Sequence, residues 1–268
     1  MILAVDTGNT HTVLGVIDEN GHIVNVFRLQ TNQRRTEHEY AADIYRILRL
    51  GGVAPKSMTG AIISTVVPSL TETLRRAVRM VTGQEAMIVG AGLKTGLDIG
   101  LDDPGTIAAD LVCTAVAAKE LYPLPALIID MGTATTVTAV NEAGRYIGGV
   151  IYAGVGISLE ALVKDTSLLP NIEIAPPKRA IATNTVEAMK SGIFYSTVGG
   201  VDGILDQFEK DLKPATIVAT GGLATKIAPY CRHPIVLDEN LLLKGLKIIY
   251  DKNKKPVRSR AEKSAQNR

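Results

Sequence analysis

The strongest constraint on the fold of this sequence is an internal repeat. Residues 2–18 and residues 127–144 follow one plan: an apolar run ends in aspartate, a glycine-containing turn follows, and a second run alternates small and apolar residues. Asp130 lies 124 residues after Asp6. The repeat also matches Gly8 with Gly132, Thr12 with Thr136, Val13 with Val137, Val16 with Val140 and, one residue out of step, Gly21 with Gly144. A repeat of this length predicts two copies of one domain, because solenoid periods are only about 20 to 50 residues.

The first copy predicts a strand that ends at Asp6, a tight turn, and a second strand from Thr12 to Ile17. A carboxylate at a strand end, followed by a turn rich in hydroxyl and amide groups, suits a hydrated metal ion beside a phosphate. Backbone N–H groups and the hydroxyls of Thr7 and Thr10 can contact phosphate oxygens there. An ordinary β-hairpin explains this stretch equally well by itself. Because the pattern occurs twice, we favour a cleft with one strand-end carboxylate on each side.

The composition excludes several classes of protein. The 268-residue chain is 46% hydrophobic and 21% charged, which is typical of a soluble globular protein with one large or two modest cores. No apolar run approaches the ~18 residues that span a membrane, and the N-terminus predicts a strand instead of a signal peptide. We therefore expect a cytoplasmic protein with no membrane partner. Cys113 and Cys231 are the only cysteines, so neither a disulfide framework nor a zinc cluster is expected.

The basic residues are concentrated at the C-terminal end. Residues 251–268 carry seven basic and two acidic side chains, which leaves a formal charge of −3 on the rest of the chain although the total is +2. A polar segment without apolar periodicity predicts a disordered tail, with nucleic-acid or membrane binding as the less favoured alternative. Because the rest of the chain is not basic, we expect no nucleic-acid partner.

The first half of the chain predicts an antiparallel meander followed by alternating helices and strands. Thr36 and Glu39 form a capping box for a helix that ends near Leu50, and Ser69 with Glu72 is predicted to cap a second helix. The predicted strands are residues 2–6, 12–17, 22–31, 60–68 and 85–90.

The segment after these elements contains a candidate site residue, Asp110. Asp103 and Pro104 are predicted to be the cap and first residue of a helix, which places Asp110 in the second turn of that helix. An acidic residue at such a position is ordinarily a solvated surface residue. Near the junction of two duplicated domains it becomes a candidate for substrate chemistry, because clefts between domains are favoured sites for ligands.

The second half repeats this plan and extends it. Asn184 and Glu187 are predicted to cap a long helix, and a strand that begins at residue 216 ends at Gly221 and Gly222, where backbone amides can approach a phosphate-bearing ligand closely. Three glycines in the long helix predict a bend or close packing: Gly192, Gly199 and Gly200. We therefore expect an α/β fold with mixed sheets, divided into domains 1–118 and 119–250 and a tail 251–268.

The motifs together resemble the type III pantothenate kinase family over roughly residues 1–250. They are DTGNT at 6–10, ISTVVP at 63–68, TGLDI at 95–99, AAD at 108–110, DMGTATT at 130–136, GGVIYAG at 148–154, NT at 184–185 and ATGG at 219–222. That family belongs to the superfamily of acetate and sugar kinases, Hsp70 and actin. The resemblance implies two ribonuclease-H-like domains around a nucleotide cleft.

The resemblance also implies a reaction and its requirements. The implied reaction is the ATP-dependent phosphorylation of pantothenate in coenzyme A biosynthesis. It would require Mg²⁺ and a monovalent cation (K⁺ or NH₄⁺), and the implied assembly is a homodimer with active sites at the subunit interface. The matching positions in the family imply that Asp6 contacts Mg²⁺ through water, that Asp130 binds the monovalent cation and that Asp110 is the general base. The implied ATP-binding residues are Asp6, Thr7, Gly8, Asn9, Thr10, His11, Thr12, Val13, Gly132, Thr133, Gly221 and Gly222. The implied pantothenate-binding positions are Leu101, Ala108, Ala109, Asp110, Leu111 and Thr185.

The sequence departs from the family pattern mainly on the acceptor side. Leu111 replaces an arginine that pairs with the pantothenate carboxylate, and Leu101 replaces a tyrosine. The other departures are Thr106 for glutamate, Ala108 for glycine and Ala153 for proline. Three interpretations follow: a pantothenate kinase, a divergent member with altered or lost acceptor specificity, and a regulatory protein like the Bvg accessory factors of this family.

Overall fold

The computed structural model describes residues 1–212 and 215–254, which form two mixed β-sheets with helices between and around them. The first sheet has the strand order β3-β2-β1-β4-β5. Its strands are β1 (Ile2–Thr7), β2 (His11–Ile17), β3 (Ile23–Gln30), β4 (Gly60–Thr65) and β5 (Ala86–Ile88). The meander β1 to β3 is antiparallel, whereas β4 and β5 run parallel to β1.

The second sheet repeats this topology and adds one strand. Its order is β11-β10-β7-β8-β9-β6, with a meander β7 to β9 and two parallel strands, β10 and β11, on the other side of β7. The strands are β6 (Asp98–Ile99), β7 (Ala126–Met131), β8 (Ala134–Val140), β9 (Arg145–Ala153), β10 (Thr216–Thr220) and β11 (Ile235–Leu237). The predicted α/β class and the duplication are both confirmed.

Seven α-helices accompany the sheets in the described residues. They are α1 (Glu37–Leu50), α2 (Thr71–Thr82), α3 (Ala109–Leu121), α4 (Val155–Lys164), α5 (Thr185–Phe208), α6 (Ala224–Ile227) and α7 (Leu241–Asn253). Side chains of α1 and α2 pack on one face of the first sheet, and those of α5 and α6 pack on the second sheet. Both apolar clusters follow the burial of alternate strand residues.

Helices α3 and α7 lie between the two sheets and contact each other. Cys113 of α3 and Leu246 of α7 share an apolar cluster with the first sheet, while other residues of α3 pack against the second sheet. The two backbones approach closely at Gly245, where a Cβ would lie 2.0 Å from the carbonyl oxygen of Cys113. Glycine is therefore required at this crossing.

The register of the repeat differs from the alignment of the sequences. Strand β2 corresponds to β8 with an offset of 123 residues, because Asp6 pairs with Val13 whereas Asp130 pairs with Thr136. The sequence matches of Thr12 with Thr136, Val13 with Val137 and Val16 with Val140 were therefore wrong by one residue. The second turn is one residue shorter than the first, so the step occurs in the turn itself. Equivalent bulges after Val16 and Ala139 confirm the new register.

Two of the predicted helix caps are confirmed, and two are corrected. Thr36 forms the predicted capping box, and Asn184 accepts a hydrogen bond from the backbone of Glu187. Ser69 does not cap α2: it lies in a 3-10 turn, and its hydroxyl donates to the Gln33 side chain at 3.3 Å. Asp103 caps a separate 3-10 turn, Pro104–Thr106, instead of α3.

Two further expectations change in the second half of the chain. The three glycines of α5 are exposed, and a Cβ on any of them would meet no atom within 4 Å, so within this chain they do not mark close packing. Helix α7 continues through Asn253, three residues into the predicted tail. The expectation of disorder from residue 255 onward lies outside the described residues, and the domain division at residue 118, inside α3, stays a prediction. Among the described helices, none has the length and apolarity to cross a bilayer.

Candidate active site

Asp6 lies at the end of β1, at the centre of a row of side chains on one face of the first sheet. It pairs with Ser64 of β4 on one side and with Val13 of β2 on the other, and Val13 pairs in turn with Arg28 of β3. Paired residues on neighbouring strands point to the same face of a sheet. The side chains of Ser64, Asp6, Val13 and Arg28 therefore share the face that carries α3 and α7 and looks toward the second sheet.

The two duplicated turns meet across the cleft. The hydroxyl oxygens of Thr10 and Thr133 are 2.9 Å apart and form a hydrogen bond. In the corrected register these threonines are equivalent, so corresponding positions of the two halves meet here. Gly154 packs against the second turn, since a Cβ there would lie 2.2 Å from the carbonyl oxygen of Thr133. The structure thus confirms that the two turns face each other.

Three carboxylates are gathered at this junction, and the pKa of each is raised. Burial, together with the negative charges of Asp110 and Asp130, raises the pKa of Asp6 to about 7, while the Ser64 hydroxyl partly opposes the shift. Burial and the charge of Asp110 raise the pKa of Asp130 to about 6. Burial also raises the pKa of Asp110. None of the three forms a salt bridge with another residue of the described chain, so their charges lack a protein cation.

These donors fit a cation that completes its coordination with water and phosphate. In residues 1–212 and 215–254, no group of three or more His, Cys, Asp or Glu side chains is arranged to enclose a metal by itself. Mg²⁺ typically binds through one or two carboxylates while keeping several waters and taking ligands from a phosphate. The Thr7 hydroxyl is also buried without a hydrogen-bond partner among the described residues, but it leaves the opposite face of β1 from Asp6 and adds no oxygen to this site.

Asp110 is in the first turn of α3, not the second turn as predicted, because α3 begins at Ala109 after the cap residue Ala108. Its Oδ1 accepts a hydrogen bond from the backbone N–H of Leu111 at 2.7 Å. A carboxylate in the first turn of a helix is stabilised by the helix dipole. This position holds Asp110 at the edge of the cleft toward Asp6 and Asp130.

The acceptor side next to Asp110 is largely apolar. Leu101 and Ile107 pack against the cluster that contains Tyr146 of β9. Burial raises the pKa of the Tyr146 phenol to about 12, with a contribution from the charge of Asp110, so Tyr146 remains a neutral hydrogen-bond donor near that carboxylate. Leu111 is partly exposed beside them.

The glycine turn after β10 lies against both sides of the cleft. Gly221 has φ +94°, and a Cβ there would lie 2.6 Å from Oδ1 of Asp130. A Cβ on Gly222 would lie 3.7 Å from Nη1 of Arg28, a residue of the first sheet. The space beside Gly221 is thus taken up by Asp130, and the close approach of a ligand to the backbone amides of this turn stays a prediction.

The predicted site residues differ in how far the structure brings them together. Asn9, Thr10 and His11 are exposed in the first turn, whereas Thr7 and Thr12 are buried. The Thr12 hydroxyl lies 3.0 Å from that of Thr31 and forms a hydrogen bond with it. Gly8 and Gly132 close their turns in the same way, with N–H groups that donate to His11 and Ala134 carbonyls at 3.0 and 3.1 Å.

Thr185 stands apart from the other candidates. It is the exposed first residue of α5, and no hydrogen bond joins it to the three carboxylates within the described residues. Sequence analysis did not identify Arg28 at the cleft or Tyr146, which is buried near Asp110. Arg28 becomes a candidate only once the strand register is known, because it occupies an ordinary alternating position in β3.

Comparison with known proteins identifies the family. The family model described as type III pantothenate kinase matches residues 2–207. Proteins named type III pantothenate kinase from Halalkalibacterium halodurans and Myxococcus xanthus are 43% and 41% identical to this chain. Each alignment covers 94% of this chain, and 100% and 99% of the respective relative.

Solved structures of low sequence identity share the fold. A Baf family protein from Campylobacter jejuni has a TM-score of 0.60 at 17% identity, covering 94% of this chain and 98% of that protein. Component A of (R)-2-hydroxyglutaryl-CoA dehydratase from Acidaminococcus fermentans has a TM-score of 0.57 at 15% identity, covering 94% and 99%. The α/β fold with two duplicated halves that the resemblance implied is thus shown. On the family model and the curated relatives, this chain belongs to the type III pantothenate kinase family.

Proposed function

We propose that this protein transfers the terminal phosphate of ATP to pantothenate, which gives 4′-phosphopantothenate in the first step of coenzyme A biosynthesis. The observation that carries the proposal is the cluster of Asp6, Asp110 and Asp130 at the junction of the two duplicated turns. Phosphoryl transfer depends mainly on positioning and on neutralisation of charge, and this cluster offers both cation-binding oxygens and a base. The family membership supports pantothenate as the acceptor.

Asp110 is the proposed general base. Its carboxylate accepts the proton of the attacking hydroxyl while the new O–P bond forms and the bond from phosphorus to the leaving ADP oxygen breaks. A carboxylate whose pKa is raised by burial is a stronger base than a solvated one. The proposed nucleotide-binding residues are those of the first turn, Asp6–Val13, together with Gly132, Thr133, Gly221 and Gly222.

Two cations belong to the proposal. When bound, Mg²⁺ supplies neutralisation of the phosphate oxygens; Asp6 would hold it through water, and Asp130 would hold K⁺ or NH₄⁺. The raised pKa values of both aspartates, and the absence of a salt bridge to either within the described residues, support cation binding at this place. The proposed pantothenate contacts are Leu101, Ala108, Ala109, Asp110, Leu111 and Thr185.

A direct assay tests the reaction. Purified protein is incubated with ATP, Mg²⁺, K⁺ and pantothenate, and both ADP and phosphopantothenate are measured by mass spectrometry. We expect equal amounts of the two products. ADP without phosphopantothenate, or no turnover at high pantothenate concentration, would overturn the proposal; a panel of other hydroxyl acceptors would then identify an altered specificity.

The apolar residue Leu111 gives the first variant to test. Arginine at this position would supply a guanidinium for the pantothenate carboxylate, and a charge-assisted hydrogen bond is worth about 1.5 to 3 kcal/mol, or roughly 10- to 150-fold in affinity. We expect Leu111→Arg to lower the KM for pantothenate while the KM for ATP is unchanged. Leu111→Met is the matched control for size. An unchanged KM for pantothenate in Leu111→Arg would refute this account of the acceptor site.

A homodimer is part of the proposal because the second half of the chain exposes apolar side chains. Ile151, Leu168 and Ile181 are 71%, 90% and 86% exposed, and the exposed face of α5 next to Tyr195 is rich in glycine. Exposed apolar surface of this kind is characteristic of protein interfaces. Light scattering measures the mass in solution, and a monomer at micromolar concentration would exclude the dimer.

We also propose a cytoplasmic location. Cys113 and Cys231 are both free thiols, which suits a reducing compartment. Fractionation of cells that carry a tagged copy tests the location.

A further inference from the structure

Arg28 is an arginine at the cleft that has no side-chain partner in the described part of the chain. It lies on β3 and makes no hydrogen bond or ion pair with any residue of 1–212 or 215–254. Other arginines of the described chain show the usual alternative: Arg75 and Arg76 both pair with Glu72 at 2.8 Å. An unpaired guanidinium on a protein surface is ordinarily just solvated. Whether Arg28 binds a ligand therefore depends on where its side chain lies relative to the cleft.

The strand register places Arg28 on the catalytic face of the first sheet. Asp6 pairs with Val13, and Val13 pairs with Arg28, so the three side chains leave the sheet on the same side. Adjacent strands are about 4.8 Å apart, which sets the Cα atoms of Asp6 and Arg28 about 10 Å from each other. A chain of phosphates that lies over Val13 would have Asp6 at one end and Arg28 at the other.

The guanidinium of Arg28 also reaches the opposite wall of the cleft. Its Nη1 lies 3.7 Å from the position that a Cβ of Gly222 would occupy. The neighbouring Gly221 is packed in the same way against Asp130. Arg28 is thus a first-sheet side chain that extends to the glycine turn of the second sheet, where it forms no ion pair with any described residue. Guanidinium groups bind phosphate oxygens through two parallel hydrogen bonds.

We infer that Arg28 binds the nucleotide in the cleft, through the α- or β-phosphate that ATP and ADP share. The transferred phosphate must lie near Asp110 and Asp6, whereas Arg28 is on the far side of Val13, so its contact is with a phosphate that stays on the nucleotide. The inference rests on the proposed use of ATP. It adds a cationic contact from the first sheet to a nucleotide site otherwise built from backbone N–H groups and hydroxyls.

The test measures nucleotide binding without pantothenate. Isothermal titration of ADP with Mg²⁺, and of adenosine, is carried out on wild type, Arg28→Gln, Arg28→Lys and Arg49→Gln. Arg49 is an exposed arginine at the end of α1 that forms no ion pair with the described residues, so Arg49→Gln is the control for loss of one positive charge. We expect Arg28→Gln to weaken ADP binding by about 10- to 150-fold and adenosine binding by less than about two-fold. The ADP affinity of Arg28→Lys should lie between those of wild type and Arg28→Gln. Lysine keeps the positive charge but lacks the planar guanidinium that donates two parallel hydrogen bonds.

Kinetics give a second readout. Because the contacted phosphate is not transferred, Arg28→Gln should raise the KM for ATP by a similar factor with little change in kcat. The melting temperature should stay at the wild-type value, since the side chain has no partner to lose. Equal ADP affinity in wild type and Arg28→Gln, or an equal loss for adenosine, would overturn the inference. If wild type binds ADP but makes no phosphopantothenate, the proposed function fails while the role of Arg28 is still decided; a wild type that binds no nucleotide overturns both.

Discussion

At the scale of single residues, the site is defined by charges that the protein does not neutralise. Asp6, Asp110 and Asp130 are drawn into one partly buried junction, and each is harder to ionise than a solvated aspartate. Such an arrangement destabilises the fold unless something else compensates for it. In the proposed reaction, bound cations compensate for these charges. Without ligands, the unneutralised carboxylates should lower the stability of the protein.

The pH dependence of stability follows from the pKa of Asp6, which is about 7 in the folded chain against 3.8 when solvated. Between about pH 4 and pH 7 the folded state binds more protons than the unfolded state, so the free energy of unfolding falls as pH rises through this window. We expect the ligand-free protein to melt at a higher temperature at pH 5 than at pH 7.5. Asp6→Asn should stabilise it at pH 7.5 by on the order of 2 kcal/mol and reduce the pH dependence.

Differential scanning calorimetry at both pH values measures this effect. Glu142→Gln, which removes an exposed carboxylate from the β8–β9 turn, is the control and should keep the wild-type pH dependence. Equal pH dependence in Asp6→Asn and wild type would contradict the assignment of the strain to Asp6.

At the scale of secondary-structure elements, the second turn depends on the glycine that follows β9. A Cβ at residue 154 would lie 2.2 Å from the carbonyl oxygen of Thr133 and 2.6 Å from that of Gly132, and backbone atoms cannot yield as a flexible side chain does. We expect Gly154→Ala to destabilise the protein by about 1 to 3 kcal/mol and to weaken ADP binding, because the turn must move. Gly156→Ala is the matched control, since a Cβ there meets no atom within 4 Å.

Urea denaturation and ADP titration of the two variants test this prediction. Gly156→Ala lies inside α4 and should be neutral or slightly stabilising. Wild-type stability in Gly154→Ala would show that the turn tolerates displacement.

The elements that sequence predicts well are those with local signals. The capping box at Thr36 and the strand-turn-strand plan around Asp6 and Asp130 require only neighbouring residues, and both are confirmed. Ser69 has the same local pattern, but the preceding proline starts a 3-10 turn and the hydroxyl finds Gln33 instead. Local patterns do not reveal which of two competing partners is nearer in the fold.

The parts that could not be predicted depend on pairing across strands. The one-residue difference between the two turns is invisible in the sequence, because matching threonines and valines occur on either side of it. The places of Arg28 at the cleft and of Tyr146 near Asp110 follow from strand register and not from any motif. Asp6 and Asp130 were found because the duplication marked their positions, whereas Arg28 and Tyr146 have no counterpart of that kind.

At the scale of the whole molecule, α3 and α7 hold the two sheets together. Their backbones touch at Gly245, where a Cβ would lie 2.0 Å from the carbonyl oxygen of Cys113. We expect Gly245→Ala to separate the helices and lower the free energy of unfolding by about 2 kcal/mol or more. Gly203→Ala on α5, where a Cβ meets no atom within 4 Å, is the control and should not be destabilising. Chemical denaturation followed by circular dichroism measures both.

The position of α7 also affects how the chain folds during synthesis. The face of the first sheet that carries Ile2, Ala4 and Ile62 is covered by α3 and by Leu243, Leu246 and Ile249 of α7. The strands of that sheet leave the ribosome first, but one of the two helices that cover them is made more than 150 residues after β5. Nascent domains generally fold from the N-terminus onward. Here one apolar face of the first sheet stays partly uncovered until α7 has been synthesised. A nascent chain on a ribosome stalled before residue 241 should therefore bind chaperones.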